Sequence, residues 1–266
     1  MHYASAYLQY WRINLMTMVE YRLNFFLWAG FTVIYHATAL GALWVTLYRF
    51  PSLNGWDFKE TAFLYGLWML GHATNNTFFF TIGSVPEYIR EGRFDRFLVR
   101  PLDPLFQAIT VPQQIWPDEL ILAIGYFWLV VPFSGVRVDP FFLVYVPLVA
   151  LGGALIDFAI GLAIATLSFW FVRIDTLRWV VMSLEQDFSR YPISIYTRGV
   201  RILLAFVLPF AFMNYFPATF LLHKSETALS LNPAIGLFTP IVGLVWFAAA
   251  YAFWRVGINR YQGTGS

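Results

Sequence analysis

Long uncharged runs separated by short charged clusters dominate the chain. Leu23–Tyr48, Thr61–Pro86 and Pro233–Trp254 contain no Asp, Glu, Lys or Arg, and Leu120–Val136 is a shorter run of the same kind. Pro140–Val172 carries one charge, Asp157, while Ile202–Leu222 is uncharged but interrupted by Pro209 and Pro217. A helix needs about 20 apolar residues to cross the hydrocarbon core. The pattern therefore predicts an all-α integral membrane protein with six transmembrane helices. They lie at residues 23–48, 61–83, 120–136 and 140–172, within 174–222, and at 233–254. Ahead of them, Tyr3, Tyr7, Trp11, Leu15 and Met18 recur at steps of three and four. That spacing predicts an amphipathic interfacial helix over residues 1–22, its aromatic rings at headgroup level. This stretch lacks the apolar centre and small-residue cleavage site of a secretory signal.

Residues 174–222 admit two readings. Glu185, Asp187 and Arg190 are costly in lipid, which makes Ile174–Arg201 a cytoplasmic loop before a span at 202–222. Alternatively, Leu177–Tyr196 is a polar fifth span, and 202–222 enters the membrane from outside and returns. Either version leaves both termini on the same side.

Composition supports the membrane assignment. Of 266 residues, 59% are hydrophobic and 12% charged, against about 25% charged in a soluble domain. The absence of cysteine excludes disulfides, thiolate metal sites and a cysteine nucleophile. Charge distribution sets orientation. With the N-terminus inside, Arg12, Arg22, Arg90, Arg93, Arg96, Arg100, Arg173, Arg178, Arg255 and Arg260 are cytoplasmic. Only Arg49, Lys59, Arg137 and Lys224 then face out. The expected location is the plasma (inner) membrane, multi-pass, with both termini cytoplasmic. The external loops are too short to fold as a receptor domain.

The densest charge cluster, REGRFDRFLVRPLDP (Arg90–Pro104), lies in the segment 84–118 between the second and third spans. Ser84 and Glu87 have the spacing of a capping box, Gly92 breaks the helix, and Pro101 ends the element. Phe94, Phe97 and Leu98 alternate with Arg93, Asp95, Arg96 and Arg100. Arginines alone would serve topology and anionic lipid. The interspersed acids and the Phe/Leu ridge fit a docking helix better, since apolar anchors supply affinity and paired charges orientation.

This segment resembles the Glu-Gly, Leu-Leu and Pro signature after the second span of type-two ABC exporter permeases. The stretch YPISIYTRGVRILLAFVLPFAFMNYFPATFLL is similar to the proline-marked re-entrant region before their last helix, and the six-span permease branch is the nearest match. Arg93 departs from the pattern, where the wider family often has a small polar residue. The resemblance implies a cytoplasmic coupling helix seated in a groove of a separate ABC ATPase, with Glu91, Gly92, Phe94, Phe97 and Leu98 as coupling residues. It also implies a re-entrant segment opening at Tyr191–Pro192, and a second permease subunit, either a different chain or a second copy. The chain itself is expected to bind no cofactor, ATP and Mg belonging to the partner. Its other partners are membrane lipids, with no nucleic acid. No G-x-x-x-x-G-K-[ST] occurs, and there are only two lysines, so the chain lacks a P-loop.

Within the spans, Gly153, Asp157, Gly161 and Ala165 share one helix face, where small residues permit close approach. Asp157 is expected to face a neighbouring helix, as a hydrogen-bonded tie or as a substrate- or ion-path carboxylate. His36, His72, Asn75 and Asn76 are candidate path residues or helix contacts. Similar depth in the membrane pairs His36 with Asp157. The four histidines have no metal-ligand spacing, and no metal is expected. The alternatives are an ion- or proton-coupled secondary transporter using Asp157, an intramembrane enzyme and a passive scaffold. Against the first stands the lack of an internal repeat, and against the second the absence of a catalytic motif.

Overall fold

The computed structural model describes residues 2–110, 117–171, 173–225 and 228–261. Among them all regular structure is helical, apart from one isolated bridge between Leu53 and Trp56. Helix α1 (His2–Glu20) runs into α2 (Arg22–Arg49) through a break at Tyr21. The side chains of Tyr3 and Leu15, two of the five residues in the expected amphipathic pattern, lie outside the described residues. Helix α2 turns one edge to the rest of the chain. His36, Ala39, Leu43 and Leu47 are its buried residues, spaced as one face of a helix, while Phe31, Ile34 and Trp44 are exposed.

Helix α3 (Phe58–Phe79) begins in a true capping box. Asp57 accepts from the Glu60 backbone N–H at 2.8 Å, and Glu60 accepts in return from that of Asp57 at 3.1 Å. Lys224 clasps the same corner, 2.5 Å from Glu60 and stacked over the Trp56 ring. From Thr61 to Thr74 every α3 residue is buried, so this helix is the hub, packed between α7 (Pro117–Ser134) and α8 (Pro140–Leu167). Closeness comes from glycine. A Cβ on Gly71 would stand 3.3 Å from the Gly153 Cα, and one on Gly243 would stand 2.5 Å from the Gly152 carbonyl oxygen. The first contact seats α3 on α8, and the second seats the last helix on α8.

Between α3 and α7 lie a 3-10 turn (Phe80–Ser84) and the short helices α4 (Val85–Arg90), α5 (Asp95–Leu98) and α6 (Pro104–Thr110). The expected box at Ser84 and Glu87 does not form: Ser84 makes no side-chain cap bond, and Glu87 instead lies 3.7 Å from Arg93. Gly92 ends α4 with φ +66, a conformation glycine adopts without strain. The expected segment 84–118 extends over 111–116, and the expected fourth span to 172, both outside the described residues.

Helix α9 (Asp175–Ser189) has 15 residues, a length of about 22 Å. That is short of a span, so the polar span expected at Leu177–Tyr196 is not present as one helix. Next come α10 (Arg198–Ile202), continued by a π turn to Val207, and α11 (Tyr215–Leu221). The two arms are bent by 76° at Leu208–Pro209, where proline removes a donor and blocks continuation. Arg201 stitches this bent pair, donating to the carbonyls of Tyr196, Ser194 and Ala228 at 2.6–2.9 Å. Helix α12 (Thr239–Arg260) closes the structure against α8.

Candidate functional site

Two clusters collect the functional candidates. The first lies where α3, α8, α9 and α7 meet. Asp157 comes from the small-residue face of α8, next to the Gly71–Gly153 contact, and so reaches α3. The Nδ1 of His72 is 2.9 Å from Asp157 Oδ2 and 3.1 Å from Glu185 Oε1. Asn75 donates to the same Asp157 oxygen at 2.9 Å, and the indole N–H of Trp68 donates to Glu185 at 3.0 Å. The Trp68 ring also stacks on His72, with centroids 4.9 Å apart.

On the other side of the ring, the Asn76 amide nitrogen donates to Glu119 Oε2 at 2.8 Å and lies 3.1 Å from His72 Nε2. Nδ1, facing two carboxylates that only accept, carries a hydrogen divided between them. The three facing atoms of His72, Asp157 and Glu185 lie within 4.8 Å of one another, a donor set of metal-binding type. Sequence spacing concealed it, because the ligands come from three helices.

His36 is not paired with Asp157, correcting that expectation. Its Nδ1 is 2.7 Å from the Tyr65 hydroxyl and its Nε2 is 3.4 Å from Glu119. Similar depth put the two residues in one layer, but α3 stands between them. Four members escaped the sequence reading: Trp68, Tyr65, Glu119 and Glu185. The first two resemble ordinary packing aromatics. Glu119 stands at the start of an apolar run, and Glu185 was assigned to a solvated loop or a polar span. An acid bracketing an apolar run was the available signal.

The second cluster is the segment after α3. Phe94 is 0% exposed and Phe97 3%. Phe94 meets Phe97, Phe169, Trp254 and Tyr261 edge-on at 5.2–5.9 Å. These two rings are therefore not an outward ridge, because the aromatic ends of α8 and α12 offer them a dry seat. Polar ties complete the join. Gln107 donates to the carbonyls of Phe97 and Leu102, both at 2.8 Å, and the Tyr251 hydroxyl donates to Asp103 at 3.1 Å. Arg93 folds back onto Glu91, Glu87 and the Tyr88 ring. Burial pushes the Tyr88 hydroxyl up from its ordinary value in spite of that guanidinium, so it stays a neutral phenol. What faces outward is Leu98 at 41% and Val99 at 83% exposed, between Asp95, Arg96 and Arg100. Glu91 is exposed and Gly92 partly so.

Four described helices, α2, α7, α8 and the stretch Pro233–Arg260, have the length and apolarity to cross a bilayer, or five if the bent pair counts as one span. This is an all-α, multi-pass integral membrane protein. The pattern of the ABC-2 family transporter proteins matches residues 33–265, and the chain belongs to that family, as the membrane permease of an ABC transporter. Neither the curated proteins nor the solved structures include a match to the chain. Family membership displaces the ion-coupled carrier reading. It also implies association with an ABC ATPase component.

Proposed function

We propose that this permease is the transmembrane part of an ATP-driven exporter, coupled through the surface of α4 and α5 to a separate cytoplasmic ATPase. The observation that carries the reading is the second cluster. An apolar pair, Leu98–Val99, flanked by charges of both signs, projects from a segment whose base is fixed by Phe94 and Phe97 into α8 and α12. A push on that surface reaches two long helices through packed rings. The coupling set is then Glu91, Gly92 and Leu98 at the contact, with Phe94 and Phe97 as its anchors and Val99 added.

Six spans fit this reading. Helix α3 has 22 residues, about 33 Å. Its polar residues are tolerable in a membrane because neighbouring helices enclose them. The 76° bend at Leu208–Pro209 supports a re-entrant hairpin as the fifth element. The arginine bias supports cytoplasmic termini in the plasma membrane. A second permease, whether another chain or a second copy, completes the pathway, and ATP with Mg acts on the ATPase.

Capture of the tagged chain from native membranes tests this. Wild type should bring an ATP-binding-cassette subunit with it, and Val99→Asp should lose that subunit while keeping the same melting temperature. Retention of the ATPase by the variant would remove the coupling surface. Absence of any ATPase from a wild-type preparation that keeps other membrane complexes intact would remove the exporter.

A further inference from the structure

Helix α9 is held more by polar bonds than by packing. Its buried side chains are Glu185 and Ser189, both polar, and Val181 and Phe188 are only partly buried against the apolar core. The opposite side is apolar and open: Leu177, Trp179 and Val180 are exposed. Lipid tails are as apolar as such a face, so α9 can shift along them without losing a bond.

The polar bonds then set where α9 lies. At its start, Arg178 donates to the Gly83 carbonyl at 2.7 Å, and Asp175 is 3.6 Å from Arg90. Gly83 belongs to the turn just before α4 and Arg90 is the last residue of α4, so that short helix is tied to α9 at both ends. The Arg90 pair is exposed and therefore weak; the Arg178 bond, charge-assisted and part-buried, is the firmer tie. Glycine is what admits the guanidinium, since a Cβ at position 83 would stand 2.6 Å from Arg178 Cζ. Seven residues further on, about 10 Å along the axis, Glu185 accepts from Trp68 and faces His72. One unbroken helix thus joins the base of α4 to the polar cluster. A cavity of about 70 Å³ lies along it: Arg178, Met182 and Glu185 line the α9 side, and His72, Asp157 and Gly161 line the side of α3 and α8.

We propose that α9 is the movable wall of this cavity, and that Arg178, seated on Gly83, is the positioning residue through which α4 moves it. Phe94 and Phe97 carry a displacement of the segment into α8 and α12; Arg178 carries it into α9. Helix α3, enclosed by α7 and α8, keeps its place, so α9 shears past it and the space beside His72 changes size. Dependence on nucleotide rests on the exporter reading; the tie between α4 and α9 does not.

The chain has no cysteine, so a single Gly161→Cys reports on the cavity; a Cβ there has Ile82 as its nearest neighbour, at 3.7 Å. Its rate of modification by a small uncharged methanethiosulfonate is measured on the full chain in nanodiscs and on the complex captured from native membranes. In the chain alone, Arg178→Leu and Gly83→Ala should each raise the rate by about threefold or more by releasing α9, while Arg178→Lys, which keeps a charged donor, stays near the parent rate. In the complex, trapping ATP with vanadate should change the parent rate by a similar factor, and Gly83→Ala should abolish that response while the ATPase is still captured. Unchanged rates in both release variants, equal acceleration by Arg178→Lys, or a nucleotide response that survives Gly83→Ala overturns the proposal and leaves the exporter reading intact. If Gly83→Ala fails to fold, Arg178→Leu supplies both readings. Failure to capture any ATPase removes the exporter reading together with the nucleotide response, and the rates in the chain alone still decide the tie.

Discussion

The His72–Asp157–Glu185 cluster and the Phe94–Phe169–Trp254 cluster both lean on α8, yet different physics holds them. In the first, three helices meet through directed hydrogen bonds, so orientation and charge matter more than volume. In the second, rings fill a dry seat, so any lost volume leaves a void. The polar cluster should tolerate an isosteric change and suffer from deletion of a partner. The aromatic cluster should suffer from every truncation.

That contrast can be broken by measurement, in order of expected effect on thermal unfolding in mild detergent. Phe94→Ala should cost about 4 kcal/mol, the range for a fully buried phenylalanine, and should also lower ATPase capture. A loss under about 1 kcal/mol would mean the seat collapses and the anchor is weak. His72→Ala should cost about 3 kcal/mol, because it leaves two buried carboxylates facing each other. A neutral outcome would show that water already solvates the cluster. Gly243→Ala, whose new methyl meets the Gly152 carbonyl oxygen, should cost about 2 kcal/mol through overpacking. An unchanged melting curve would show that α12 slides on α8. Asp157→Asn keeps an acceptor for His72 and should cost only about 1 kcal/mol. Val99→Asp should fall within about 0.5 kcal/mol of wild type, as an exposed substitution does, making it the control that separates docking from folding.

The helices at 23–48, 120–136 and 233–254 were legible because lipid-facing surfaces need uninterrupted apolar residues, and hydropathy reports that need directly. The charged segment after α3 was legible as a short amphipathic element from its mixed charges and apolar positions. The direction of its rings was not, because Phe94 and Phe97 bury against Phe169, Trp254 and Tyr261, and nothing local shows that seat. Asp157 was visible as the one acid in its run, and the small residues beside it pointed to a helix neighbour. Which neighbour depends on the order of helices across the bundle, a long-range property. Glu185 illustrates the general limit. A carboxylate is costly in lipid and unremarkable in a protein-lined interior, and one sequence carries no label for the difference.

The enclosure of α3 has a consequence for how the chain is made. Its polar residues are at home only beside α8 and α9, and those arrive late. Asp157 follows His72 by 85 residues and Glu185 follows it by 113. At a synthesis rate of about 5–20 residues per second, α3 waits roughly 6–23 s for its last partner. During that interval α2, which needs little but lipid, can already sit in the bilayer, while α3 is an orphan requiring shelter at the insertion machinery. Chains arrested before Glu185 should therefore remain bound to that machinery, and chains arrested after Ser189 should be released. Order of emergence, as much as hydrophobicity, thus decides when this permease becomes a membrane protein.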